Sequence, residues 1–269
     1  MEEENWMEST GFRELIKQGK VVIGTWAQMA SPESVEIIGK SGLDFVVIDT
    51  EHGFFGLETA ENLVRAADAS GIVPLIRVSH KNPTLIMKAL DMGARGVIVP
   101  GVSTKEDAVQ AVHAAKYAPL GNRGACPCIR AAGHMAWDWT EYARRADEST
   151  VVFLLVEGKE GVANFEDILT VEGIDVILMG PFDLSVALGV GGQVNHPLVT
   201  EKLEQMVRLA QKKGIAMAAV VFDLEPDSIA AATRRWLDLG VKVIMVGTDK
   251  MLLSHALSKV SSAVVSLKG

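Results

Sequence analysis

Eight short runs of apolar, largely β-branched residues recur along the chain, at residues 21–26, 45–49, 73–78, 96–100, 151–157, 175–180, 216–221 and 241–247. Most are continuously apolar rather than alternating, the pattern of parallel strands covered on both faces. The segments between them carry helix-start chemistry. Ser31-Pro32 and Asn82-Pro83 each read as an N-cap followed by proline at the first helical position. Ser103-Thr104-Lys105-Glu106 has the form of a capping box, and His196-Pro197 and Glu225-Pro226 mark two further starts. Residues 119–149 are long for one connection and predict an active-site loop with at least one helix. In the last segment Leu252, Leu253, Ala256, Leu257, Val260, Ala263, Val264 and Leu267 recur at helical spacing, predicting an amphipathic C-terminal helix over 250–269.

Eight β/α units without a linker or low-complexity tract predict one (β/α)8 TIM barrel over residues 1–269. An open doubly wound sheet would carry a glycine-rich dinucleotide turn after its first strand. Here that turn reads Gly24-Thr25-Trp26-Ala27. The length of 269 residues suits one such barrel, and an apolar fraction of 48% excludes a disordered chain.

The net charge is −8 with no basic stripe, which argues against nucleic acid and anionic membranes as partners. No apolar run approaches the roughly 18 residues that span a bilayer; the longest, 215–222, fits one buried strand. The acidic start MEEENWMEST is unlike a secretory signal or transit peptide. Cys126 and Cys128 are too few for a disulfide framework and lack zinc-site spacing, so they read as ordinary loop thiols of a cytoplasmic protein.

The active site of such a barrel lies at the C-terminal ends of its strands. The polar residues expected there are Asp49, Glu51 and His52 after strand 2, Arg77 in VPLIRV, Glu157 after VVFLLV, and Asp183 in GPFDLS. Glu157 and Asp183 come from adjacent strands and could share one divalent ion, leaving positions for water and substrate. Arg77 offers a planar, permanently charged fork for a carboxylate or enolate. His52 suits proton transfer near neutral pH. Together they describe a site for an α-keto acid. Blander assignments stay open: Asp183 as a helix cap, His52 as a structural histidine. Arg77 is harder to dismiss, because burying it without a partner is costly. The turns after strands 7 and 8, VVFDLEP and MVGTDK, are not the glycine-rich turns of a phosphate site, so a plain carboxylate is expected over a phosphorylated substrate.

IDTEHG, LIRV, LDMGARGVIVP, VEGKEGVANFEDIL and GPFDLS, in that order, resemble the HpcH/HpaI family of metal-dependent class II pyruvate aldolases, in the phosphoenolpyruvate/pyruvate-binding barrel superfamily. The likeness runs from about residue 11 to 266. It implies Glu157 and Asp183 as ligands of Mg²⁺, Mn²⁺ or Co²⁺, and Arg77 as the residue holding the pyruvyl group and its enolate. It implies His52 as the acid/base, Asp91 as the acid that raises the basicity of that histidine, and Asp49 as further support. The Phe182 backbone N–H would meet the substrate carboxylate. It also implies a homo-oligomer, a trimer of dimers, with the C-terminal helix exchanged between subunits. The implied reaction is reversible cleavage of a 4-hydroxy-2-oxo acid to pyruvate and an aldehyde. No lysine ends a strand, in keeping with the absence of a Schiff base; Lys159 is the nearest.

Some positions depart from the family pattern. Leu155 stands where the family has a substrate-contacting glutamine, Gly158 replaces the usual threonine, and Ala125-Cys126-Pro127-Cys128 replaces the usual loop glycines. GPFDLS replaces GPADLS. These changes spare the metal, arginine and histidine positions and alter their surroundings. A decarboxylase or carbon–carbon bond-forming synthase acting on an oxaloacetate-like acid is therefore the alternative. A non-catalytic keto-acid-binding barrel and a CoA-thioester lyase of the citrate-lyase-β type fit less well.

Overall fold

A computed structural model describes residues 10–265 and Leu267. The acidic start, residues 1–9, and positions 266, 268 and 269 of the expected C-terminal helix lie outside the described residues. Eight parallel strands close into a barrel in sequence order. They are β1 (Val22–Ala27), β2 (Phe45–Asp49), β3 (Val73–Arg77), β4 (Gly96–Val99), β5 (Val151–Val156), β6 (Val176–Met179), β7 (Ala216–Val221) and β8 (Val243–Thr248). Every predicted strand is present, with ends shifted by at most two residues.

Alternate strand residues feed two separate cores, which explains the unbroken apolar runs. Phe45, Val47, Leu75, Ile98, Phe153 and Leu178 fill the barrel. Val46, Ile48, Ile76, Val97, Leu154 and Ile177 point outward into the layer under the helices. One element has no counterpart in the sequence pattern: α1 (Thr10–Lys17) sends Phe12 and Ile16 into the barrel core and closes its lower end. The Phe12 ring lies 5.6 Å from that of Phe45.

The helices begin largely where their caps predict. α2 (Pro32–Gly39) is capped by Ser31, which accepts from the Ser34 N–H, and α4 (Pro83–Asp91) by Asn82, which accepts from Thr84 and Leu85. The capping box of α5 (Lys105–Ala115) is shifted by one residue from the expectation: Thr104 is the cap and Asp107 its reciprocal partner, because the Asp107 carboxylate also takes the Ser103 N–H. The remaining helices are α3 (Leu57–Ser70), α6 (Trp139–Ser149), the short α7 (Lys159–Ala163), α8 (Phe165–Ile168) and α9 (Pro181–Ala187), then α10 (Pro197–Lys212), α11 (Pro226–Asp238) and α12 (Asp249–Val265).

Residues 119–149 contain a short 3-10 turn (Arg130–Ala132) and α6. They were expected to carry an active-site loop, but in this chain they lie at the end of the barrel where strands begin. The segment follows a helix and precedes a strand, so it returns along the lower face. Arg130 pins it there, donating to the Met92 carbonyl and pairing with Asp68 at 2.7 Å. The free thiols Cys126 and Cys128 are exposed on this loop. α12 leaves Leu253, Leu257, Val260 and Val264 about half exposed, an apolar face uncovered by its own chain. No helix among the described residues is long and apolar enough to cross a membrane.

Candidate active site

The inward-facing column of each strand turns polar at its upper end. Above Val47 on β2 comes Asp49, above Leu75 on β3 comes Arg77, and above Leu155 on β5 comes Glu157. The β2–β3 register sets Asp49 directly beside Arg77. Arg77 and Glu157 line a cavity of about 190 Å³ together with Trp26, Gln28, His52, Phe182, Asp183 and Phe222, with Asp49 just behind Arg77.

Arg77 is 8% exposed, and each of its nitrogens faces a carboxylate oxygen. Its Nε and Nη2 donate to the two Asp49 carboxylate oxygens at 2.8 and 2.6 Å, the bidentate fork available only to arginine. Nη1 lies 3.1 Å from Glu51, and the guanidinium stacks 4.5 Å from the centre of the Trp26 ring. Gln28 Nε2 donates to Asp49 at 2.8 Å. Burial pushes the Asp49 carboxyl up, but the Arg77 hydrogen bonds and charge, with Gln28 and the His52 N–H, hold it below the usual carboxylate range. For Glu51 burial wins over the attraction of Arg77 and His52, and the carboxyl is raised.

The Asp-Thr-Glu-His-Gly turn is built around the same aspartate. Asp49 Oδ1 accepts from the backbone N–H groups of Glu51 and His52 at 3.1 and 3.3 Å, and the Gly53 N–H donates to the Asp49 carbonyl. A Cβ on residue 53 would come 2.3 Å from that carbonyl oxygen, so the turn needs glycine there. Thr50 ties the turn to β3, donating through its hydroxyl to the Arg77 carbonyl at 2.7 Å. The result presents the His52 imidazole at the cavity wall, with no hydrogen-bond partner among the described residues.

Glu157 and Asp183 face each other across the β5–β6 side. Burial first, and the Asp183 charge second, push the Glu157 carboxyl up to about 7. One backbone donor, Gly101 N–H at 3.0 Å, offsets this in part. Neither carboxylate forms an ion pair among the described residues. Such an oxygen pair, short of positive charge, fits a hard divalent cation. No group of three or more His, Cys, Asp or Glu side chains able to hold a metal occurs among the described residues, so an ion here would need further oxygens from water or substrate. Gly180 makes the pair possible, since a Cβ there would lie 2.5 Å from Glu157 Cβ.

Phe182 and Asp183 sit in the first turn of α9, whose N–H groups have no partner within the helix. The serine of GPFDLS fixes that turn: Ser185 donates to the Phe182 carbonyl at 2.6 Å and accepts from Gly192 N–H at 2.9 Å. Leu155 is buried beneath Glu157 and lines the cavity floor.

Seven of the eight sequence-predicted site residues thus meet or flank one cavity. Asp91 does not. It is the last residue of α4, which runs from the upper face to the lower, and there it pairs with Arg123 at 2.7 Å. Trp26, Gln28 and the pairing of Glu51 with Arg77 had no sequence signal, because each acts through a neighbour distant along the chain.

The sequence model of the HpcH/HpaI aldolase/citrate lyase family matches residues 22–256. A 5-keto-4-deoxy-D-glucarate aldolase of Citrobacter koseri is 31% identical over 252 residues, covering 94% of this chain and 95% of the relative. The crystal structure of citrate synthase SbnG superposes with a TM-score of 0.84 at 34% identity, covering 96% of this chain and 98% of that one. A family member from Burkholderia cenocepacia J2315 superposes at 0.87 with 27% identity, over 95% and 99% of the two chains. The chain belongs to the HpcH/HpaI aldolase/citrate lyase family.

Proposed function

We propose that the protein catalyses reversible aldol cleavage of a 4-hydroxy-2-oxo acid to pyruvate and an aldehyde, with Glu157 and Asp183 holding a divalent cation of the Mg²⁺, Mn²⁺ or Co²⁺ kind. The observation that carries this is the buried Arg77, held rigidly by Asp49 and Glu51 and close enough to the acidic pair for its charge to act on Glu157. When bound, such an ion polarises a keto oxygen and offsets the negative charge that cleavage develops there.

The chain's own groups do the rest. Arg77 orients the pyruvyl end and stabilises negative charge without itself titrating. The Phe182 backbone N–H faces the carboxylate. The bond between C3 and C4 breaks. The C4 hydroxyl loses its proton to His52 and becomes the aldehyde, and C3 is protonated to the methyl group of pyruvate. Asp49 keeps Arg77 in plane, and Leu155 and Trp26 exclude water.

The distance of Asp91 from His52 within one chain, and the uncovered apolar face of α12, support a homo-oligomer, a trimer of dimers. In it neighbouring copies cover α12 and bring Asp91 near His52. Two exposed free thiols fit a reducing cytoplasm.

A second reaction is favoured by Leu155. A buried leucine in place of a substrate-contacting glutamine removes one polar contact, and SbnG, at 34% identity, is named a citrate synthase. The same site could then join or decarboxylate oxaloacetate-like acids. Incubation with pyruvate in D₂O and Mn²⁺, Mg²⁺ or Co²⁺ tests the aldolase: the methyl protons exchange, and EDTA stops the exchange. Exchange together with loss of CO₂ from oxaloacetate, and no cleavage of any 4-hydroxy-2-oxo acid, would favour the second reaction.

A further inference from the structure

β1 and β8 close the barrel, and their pairing is irregular at the upper end. Gly24 pairs with Met245 and Trp26 with Thr248, so two steps along β1 match three along β8. Gly247 carries this bulge at φ +56, left-handed backbone that glycine adopts without strain. The Thr25 hydroxyl steadies it, donating to the Val246 carbonyl at 2.7 Å. A bulge re-aims the side chains beside it, and the two that follow here divide their tasks. The Thr248 hydroxyl accepts from the Met251 N–H and caps α12. The buried Asp249 carboxylate instead reaches across the seam to the turn between β1 and α2. It accepts from the Gln28 N–H at 2.9 Å, the Met29 N–H at 3.0 Å and the Ser34 hydroxyl at 3.2 Å. The adjacent Lys250 N–H is its other donor among the described residues. Gln28, anchored in this way, donates through its side-chain amide to Asp49 Oδ2 at 2.8 Å, the oxygen that also takes Arg77 Nη2. The remaining donors to the Asp49 carboxylate are Arg77 Nε and backbone N–H groups of its own turn. Gln28 is thus the one side chain besides Arg77, among the described residues, that fixes the plane of that carboxylate.

We infer that Asp249 is a positioning residue for the reaction. It fixes the backbone from which Gln28 reaches Asp49, and so keeps the Arg77 fork in the plane that meets the pyruvyl end. This rests on the role proposed above for Arg77. Asp249 is not among the residues lining the cavity, so it acts only through others. Its charged oxygens hold the Gln28 and Met29 N–H groups more strongly than a neutral acceptor would. Without them Gln28 is free to swing off Asp49, and the Asp49–Arg77 pair can tilt as a unit. A displacement of about 1 Å, caused far from the chemistry, is enough to cost about 100-fold in rate.

The test is methyl exchange of pyruvate in D₂O with the full-length protein and saturating Mn²⁺, read as kcat, beside Mn²⁺ affinity and urea unfolding. Asp249→Asn keeps the side-chain volume but turns an NH₂ group toward the donors on one side. It should lower kcat about 10–100-fold and leave Mn²⁺ affinity unchanged, because Glu157 and Asp183 lie outside this line of contacts. Asp249→Ser takes its place if the amide variant does not fold. Ser34→Ala removes a donor from the same carboxylate without freeing Gln28, so it should lower stability and leave kcat unchanged. The decisive comparison is the Asp249 variant in a Gln28→Ala background. Since Asp249 acts through Gln28, the two losses in kcat should not multiply. Losses that multiply to within about 2-fold overturn the inference, as does an unchanged kcat in the Asp249 variant. An equal loss in Ser34→Ala also overturns it, since the effect would then be a general loosening of the turn. Exchange by the native protein separates the two levels. If it occurs and the losses multiply, the proposed function stands and the positioning role falls; if it is absent, both fall.

Discussion

Arg77 and Asp49 face each other on one rung of the β2–β3 pair and share two hydrogen bonds, with Asp49 wholly buried. Removing one member of a buried pair leaves the other uncompensated, at about 3–5 kcal/mol. Arg77→Ala should therefore both abolish pyruvate exchange and lower unfolding stability by that order. Arg77→Lys keeps a charge but not the fork, so it should recover part of the stability and little of the activity. Urea denaturation beside the exchange assay checks this, and full activity in Arg77→Lys would show that the fork is dispensable.

His52 is exposed and its ring has no hydrogen-bond partner among the described residues, so its loss should not disturb the fold. His52→Ala should change stability by no more than about 0.5 kcal/mol. It should slow pyruvate exchange about 10²–10⁴-fold, the scale of a general acid/base. An unchanged exchange rate would make His52 a bystander.

Glu157→Gln and Asp183→Asn each remove an anionic oxygen from the acidic pair. Mn²⁺ affinity, read by the electron paramagnetic resonance of the free ion, should fall by more than the roughly 10–100-fold seen when only an outer partner is lost. Retained affinity in both variants would place the ion elsewhere.

Gly180→Ala forces a methyl group to within 2.5 Å of Glu157 Cβ, whereas Gly191→Ala meets only Val186 Cγ2 at an ordinary 3.9 Å. The first should cost about 1–3 kcal/mol and weaken Mn²⁺ binding by displacing Glu157. The second should do neither. Differential scanning calorimetry with a metal titration distinguishes them.

Lys116 is buried on the lower face, donating to the carbonyls of Asp147 and Thr150. Burial first, then the Arg13 charge, pushes its ammonium down to about 8 from 10.5. Between those values the unfolded chain holds a proton that the folded one has released, so stability rises with pH across that window. Relative to Lys116→Met, the native protein should gain stability from pH 8 to 10.5; a flat difference would mean the amine stays charged in the fold.

The barrel was legible because each strand is apolar on two faces, a pattern that few alternatives share. Arg77 was legible for the opposite reason, as a charge inside such a run. α1 was not, since its eight residues anchor through Phe12, Ile16 and the pairing of Arg13 with Asp175, all with partners distant along the chain. The engagement of Glu51 and Trp26 with Arg77 was not legible either, because it depends on which strand tops converge. Asp91 shows a different limit. Its motif suggests a role, but the direction of α4 decides which end of the barrel receives it. The capping box was misplaced by one residue because Ser103 and Thr104 are both competent caps, and only the fold chooses between them.

The register of β2 on β3 has a consequence for how the protein matures. The side-chain period of a strand is two, so slipping β3 by one residue would turn Arg77 out among the helices and leave Asp49 buried without its cation. A barrel closed with the wrong stagger would therefore lack its anion receptor altogether, rather than have a weakened one. On the role proposed for Arg77, specific activity in a refolded preparation then counts the molecules that closed in register.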